Sequence, residues 1–167
     1  MSDEAEHKGD GVAGGPGARR GPGAEGASFR EHLDALLRGD VPPPPVSELL
    51  GLRLVSIDER EAVFEMDVRA EHANPMGTLQ GGVICALADA AMGLAYAYRL
   101  EDGESFTTLE LKTNYLRAVT DGKLTAYGRV VHAGRTVGLT TCDVVDEQGR
   151  KVAHATSTCM TLREQPR

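Results

Sequence analysis

A chain of 167 residues is long enough for one domain with a sizeable core. Its 25 acidic against 18 basic side chains leave a net charge of −7, which argues against general nucleic-acid binding. Three cysteines (Cys85, Cys142, Cys159) without CxxC spacing, inside apolar patterns, predict buried free thiols in a reducing cytoplasm, and five scattered histidines predict no metal site.

Residues 1–27 are rich in Gly, Ala and charge with almost no large apolar side chains, so they are expected to be disordered. Within them Gly9 to Gly14 match GxGxxG, but no strand pattern precedes the match and no helix pattern follows it. No apolar stretch follows Arg19-Arg20 there, so no export signal is expected. Residues 28–44 form a second segment. Ser28 opens a capping box with Glu31, and Phe29, Leu33, Leu36 and Leu37 line one face of a short helix ending at Gly39. Pro42 to Pro45 predict a stiff extended spacer that delivers this helix to the domain at 45–167. Ser47 is expected to cap a helical turn leading to Gly51.

Strands are predicted over 52–58 and 62–68. The second alternates cleanly, with Ala62, Phe64, Met66 and Val68 on one face and Glu65 and Asp67 on the other. The loop at 72–77 leads into GTLQGGVICALADAAMGLAYAY, a helix that stops near Glu101-Asp102-Gly103. Four more strands fit 106–116, 123–132, 136–145 and 151–162, with Asp121-Gly122, Ala133-Gly134 and Gln148-Gly149 as turns between them in hairpin sequence. One apolar helix wrapped by about six antiparallel strands is an α+β arrangement. The helix covers only one face of the sheet, and a second copy of the chain is the simplest cover for the rest.

Asp89 is the one charge in that helical run. A membrane span is disfavoured because the run is built from Ala and Gly, with an acid at its centre. No polar residue recurs around Asp89 at helical spacing, which predicts a buried acid with a chemical task. Gly81 and Gly82 keep the helix start bare, so a ligand carbonyl could approach its unpaired amides. Eight residues of helix separate Gly81 from Asp89, about 12 Å of rise. One carbonyl cannot touch both within a protomer, but two antiparallel helices across a two-fold axis would bring them together.

The segments HANPMGTLQGG at 72–82, Leu87-Ala88-Asp89, TTLELKTNYLR at 107–117 and Gly134-Arg135-Thr136 resemble hotdog-fold acyl-CoA thioesterases of the phenylacetate-degradation type, over roughly residues 45–162. The resemblance implies a hotdog fold, assembled as a homodimer that pairs into a dimer of dimers in the cytoplasm. It implies hydrolysis of an aryl or short- to medium-chain acyl-CoA to free acid and coenzyme A. No metal or separate cofactor is implied, since coenzyme A is part of the substrate. It assigns Asp89 as general base or nucleophile, the Gly81 amide to the thioester carbonyl, Asn74 close to that amide, and Thr108 to the attacking water. Arg117, Arg135 and Lys112 would meet the coenzyme A phosphates, with Gly82 beside them in the binding site. Gln80 stands where many relatives have His, and cannot titrate near neutrality. His72, His132 and His154 are expected to be structural. A hotdog hydratase or dehydratase is a second reading, disfavoured because the helix holds no His, and a non-catalytic acyl-CoA binder is a third. Met92, Leu94, Tyr96 and the Pro-rich segment are expected to shape the acyl pocket.

Overall fold

The alternating runs all become strands, and one connection departs from the expected meander. The computed structural model describes residues 29–163. The segment expected to be disordered, the GxGxxG match inside it and Ser28 lie outside those residues. The element order is α1 (Phe29–Arg38), α2 (Pro45–Leu50), β1 (Arg53–Ile57), β2 (Glu61–Asp67), α3 (Gly81–Ala97), β3 (Glu104–Tyr115), β4 (Lys123–Ala133), β5 (Val137–Asp146) and β6 (Lys151–Arg163).

The strands form one antiparallel sheet in the order β1-β2-β4-β5-β6-β3. Only β4, β5 and β6 form the expected meander. β3 pairs with β6 instead of β4, so the turn expected at Asp121-Gly122 ends a crossover that runs past the start of α3. Backbone bonds fix that crossover: Leu79 N–H donates to the Val119 carbonyl (2.7 Å) and Leu116 N–H to that of Val152 (2.8 Å). β3 is thereby an edge strand, with a bulge between Thr108 and Glu110 that resets which side chains face inward. Phe106 and Thr108 face inward before the bulge, and Leu111 and Thr113 after it.

The core lies between α3 and the sheet. Phe64 and Met66 of β2, Leu124 and Ala126 of β4, Cys142 and Val144 of β5 and Ala153 and Ala155 of β6 pack around Leu87, Ala88, Ala91 and Met92. Two glycines let the sheet close on the helix. A Cβ at Gly128 would lie 2.3 Å from the backbone carbonyl of Ala91, and one at Gly138 would lie 2.1 Å from the Tyr96 ring. Among the described residues, no helix is long and apolar enough to cross a membrane.

The second helix corrects one expectation. It begins at Pro45, where a missing N–H costs nothing, and Ser47 sits inside it, buried, rather than at its cap. Gly51 ends it with φ of 69°, as expected. Cys142 and Cys159 are buried free thiols, whereas Cys85 is only half-buried.

Candidate active site

α3 is the element that positions the chemistry, and its start is set by the loop before it. Asn74 organises that loop. Its Oδ1 accepts the N–H groups of Met76 (2.9 Å) and Thr78 (3.2 Å), and its Nδ2 donates to Thr78 Oγ1 (2.8 Å). Gly77 turns the chain with φ of 78°. The chain then returns to His72, whose carbonyl accepts the Gln80 N–H at 2.9 Å. His72 is buried and its Nδ1 accepts the Arg69 backbone N–H, the structural role expected of it.

Gln80 occupies the N-cap with an exposed side chain that makes no capping bond. Among the described residues no acceptor takes the N–H of Gly81 or Gly82, as expected at a helix start. The two glycines differ in their surroundings. A Cβ at Gly81 would meet the Tyr115 ring at 2.8 Å, while one at Gly82 would meet nothing within 4 Å. Packing therefore accounts for the first glycine and not for the second.

Asp89 departs from the burial expected of it. Its carboxylate is exposed in the protomer, opening into a cavity of about 940 Å³ between α3 and the N-terminal segment. Thr108 Oγ1 donates to its Oδ1 at 3.3 Å. The surrounding protein raises its pKa above the ordinary carboxylate value by desolvation, and the Thr108 bond partly offsets this. Ala86, Ala90, Gly93 and Leu94 line the cavity from α3, and Phe106 and Thr108 line it from β3. The Pro-rich segment and Leu94 line it as expected. Met92 and Tyr96 do not: both are buried on the sheet side, where the Tyr96 hydroxyl bonds Thr161 Oγ1 at 2.7 Å.

The predicted residues thus fall into separate groups. Asp89 and Thr108 share the cavity, whereas Gly81, Gly82, Gln80 and Asn74 cluster at the helix start, outside it. Arg117 lies on the crossover beside that start, its N–H bonded to Val152. Arg135 lies in the β4–β5 turn, at the other end of the sheet. The register from Ala153 to Met160 along β6 separates those ends by roughly 23 Å. Lys112 is on the face of β3 opposite the core-packed Leu111. Sequence reasoning missed Cys85 and Tyr115 near the helix start. The Tyr115 hydroxyl lies 3.0 Å from Cys85 Sγ, and this contact, with burial, pushes its pKa up to about 12. Cys85 at four residues from Gly81 was the available signal, since that spacing puts both on one helical face.

The sequence profile of the Thioesterase superfamily matches residues 76–153. The chain belongs to the Thioesterase superfamily. It is 32% identical to a phenylacetic acid degradation-related protein of Ralstonia eutropha JMP134, with a TM-score of 0.70 over 76% of this chain and 97% of that one. It is 27% identical to the thioesterase HI1161 of Haemophilus influenzae, with a TM-score of 0.71 over 81% of this chain and 91% of that one. A 1,4-dihydroxy-2-naphthoyl-CoA hydrolase of Listeria monocytogenes is 29% identical over 61% of this chain and 83% of its own length. The fold is the hotdog, and the protein is a thioester hydrolase.

Proposed function

We propose that this thioesterase hydrolyses acyl-CoA at a site shared between two antiparallel copies of the chain. The observation that carries the reading is the placement of Asp89. It stands in a chamber beside Thr108, while the open amides of Gly81 and Gly82 lie outside that chamber, about 12 Å up the same helix. Antiparallel pairing of α3 across a two-fold axis would bring the open Gly81 amide of one copy to the Asp89 of the other. It also carries Arg117 of one copy and Arg135 of the other to the same end of the assembly, where guanidinium forks suit the phosphates of coenzyme A. Lys112 faces away from α3 and would act only at longer range. Val131, Val137, Leu139 and Leu162 are exposed toward that end of the sheet and offer a surface on which two dimers could pair.

In this mechanism Thr108 and Asp89 hold a water, and Asp89 takes its proton as the oxygen attacks the thioester carbonyl carbon. Negative charge gathers on the carbonyl oxygen, toward the Gly81 N–H of the second copy. The carbon–sulphur bond then breaks, and the thiolate leaves with the proton held by Asp89. Free acid and coenzyme A result, and every step is carried by a side chain or amide of the chain itself. Gln80 orients the thioester by hydrogen bonding, and Asn74 holds the loop that sets the helix start. Thiol release across a panel of acyl-CoAs tests the reading. Asp89→Asn should lower kcat by about 10² and leave KM little changed. No release from any member of the panel would refute it.

A further inference from the structure

We propose that the N-terminal arm, residues 29–50, is the outer wall of the acyl pocket and makes the site selective for thioesters with a bulky, uncharged, apolar acyl body. This rests on the thioesterase reading above. The arm is pinned at both ends. On α1, Leu33 is 1% exposed, and Arg30 donates from Nε to the Tyr98 carbonyl at 2.9 Å, with its guanidinium 4.7 Å from the centre of the Tyr98 ring. That seats α1 across the C-terminal end of α3. On α2, Arg69 donates to the Leu49 carbonyl at 2.9 Å.

Between these anchors Val41, Pro42, Pro43 and Pro44 border the chamber opposite Asp89. The composition suits a wall over apolar space. An ordinary residue there would present an N–H in need of a partner, but proline has none to leave unpaired. Asp40 N–H closes α1 onto Ala35 at 2.9 Å, and Ser47 N–H opens α2 onto Pro44 at 2.8 Å. The prolines span the gap between.

The facing wall has been kept shallow. Ala86, Ala90 and Gly93 line the chamber at helical spacing around Asp89. A glycine inside a helix costs about 1 kcal/mol relative to alanine. An added Cβ at Gly93 would meet the Phe106 ring at 3.3 Å, so the glycine lets that ring lie close against the helix where both line the chamber. At about 940 Å³ the chamber is far larger than an acetyl group needs. Its charges also select. Asp40 and Arg53 line it but are paired, to Arg38 and Glu65, which leaves the carboxylates of Glu48 and Asp89, so an acyl group bearing a second carboxylate meets repulsion.

The full chain is assayed with acetyl-, octanoyl-, benzoyl- and succinyl-CoA. Octanoyl- and benzoyl-CoA should exceed acetyl-CoA in kcat/KM by about tenfold or more, and succinyl-CoA should not exceed acetyl-CoA. Gly93→Leu fills the floor, and Val46→Trp, at a wall position 56% exposed, narrows the chamber without touching the core. Each should cut the octanoyl-to-acetyl ratio by about tenfold, a change that general destabilisation would not produce. A flat acyl profile in the wild type overturns the proposal. So does an unchanged ratio in both variants while they remain folded. If no acyl-CoA is cleaved, the thioesterase reading fails and calorimetric binding of octanamide, acetamide and succinamate decides the chamber separately. Preference for octanamide, lost in Gly93→Leu, supports it, and equal or absent binding overturns it.

Discussion

If two copies share each site, two dead variants should rescue each other on mixing. Asp89→Asn keeps the size of the acid and removes its ability to accept a proton. Gly81→Val places a branched side chain where a Cβ already lies 2.8 Å from the Tyr115 ring, crowding the amide that is to meet the carbonyl. Tyr115 is 53% exposed, so its ring can swing outward and the fold survives. The separation of Gly81 and Asp89 along α3, about 12 Å, is four times the reach of a hydrogen bond. In a heterodimer one site receives both damaged groups, and the other receives the intact Asp89 of the Gly81→Val chain and the intact Gly81 of the Asp89→Asn chain. Random equal assembly makes half of the dimers mixed, each with one good site of two, so the pool should recover about a quarter of wild-type kcat per chain. Each variant alone should sit near 1% or below, the scale of a lost general base or oxyanion donor. Co-expression with two affinity tags isolates the mixed dimer, and thiol release reads its activity. Purified mixed dimers that stay as inactive as either parent, with both chains folded, would refute the shared site.

Two further outcomes follow from the same contacts. Because desolvation raises the pKa of Asp89, the folded state binds its proton more readily than the unfolded chain. Stability from this group therefore rises as pH falls through the window between the ordinary carboxylate value and the raised one, and above that window the ionised acid is a standing cost. Asp89→Asn should melt at or above the wild-type temperature at pH 7, with the difference closing in acid, and a lower melting point at pH 7 would contradict the argument. Gly128→Ala sets a methyl against the Ala91 carbonyl at 2.3 Å, a backbone contact that cannot rotate away. Thermal unfolding should show a loss of about 3 kcal/mol, on the order of 10 °C in Tm, and an unchanged Tm would mean that α3 and β4 lie farther apart.

The strands were legible because each half-buried run carries its period in the side chains. In β2, Ala62, Phe64 and Met66 are buried as the alternation required. The partner of β3 was not legible. Hairpin order is the default reading of successive strands, and here the pairing of β3 with β6 depends on a crossover held by backbone bonds at Leu79 and Leu116, which leave no mark in residue type. Gly128 and Gly138 also passed unnoticed, since a glycine in a strand does not say which backbone approaches it. Of the residues that the motif singles out, Asp89 and Thr108 share the chamber, and Asn74, Gln80, Gly81 and Gly82 cluster at the helix start. Their division between a chamber and a helix start was legible too, because helical rise is fixed by residue count. The Pro-rich segment read as a spacer that would also shape the pocket, but which residues it faces was not legible, since its opposite face is built some fifty residues later in the chain.

Asp89 shows why an apolar surround is a poor guide to burial. Around it the sequence is apolar at every helical angle, and the usual meaning of that pattern is a helix enclosed on all sides. In the fold, Leu87, Ala88, Ala91 and Met92 satisfy it by packing on the sheet. Ala86, Ala90, Gly93 and Leu94 face the chamber instead. A surface that receives hydrocarbon from a ligand obeys the same physical rule as one that receives it from the core, because both are selected to shed water. The two are told apart by side-chain size. The sheet face carries Leu87 and Met92, which fill space, while three of the four chamber residues are Ala or Gly, which leave it open. An acid on the space-filling face would have to be neutralised or paired. On the open face Asp89 keeps contact with water, remains able to accept its proton, and still feels the raised pKa that walls of low polarity impose.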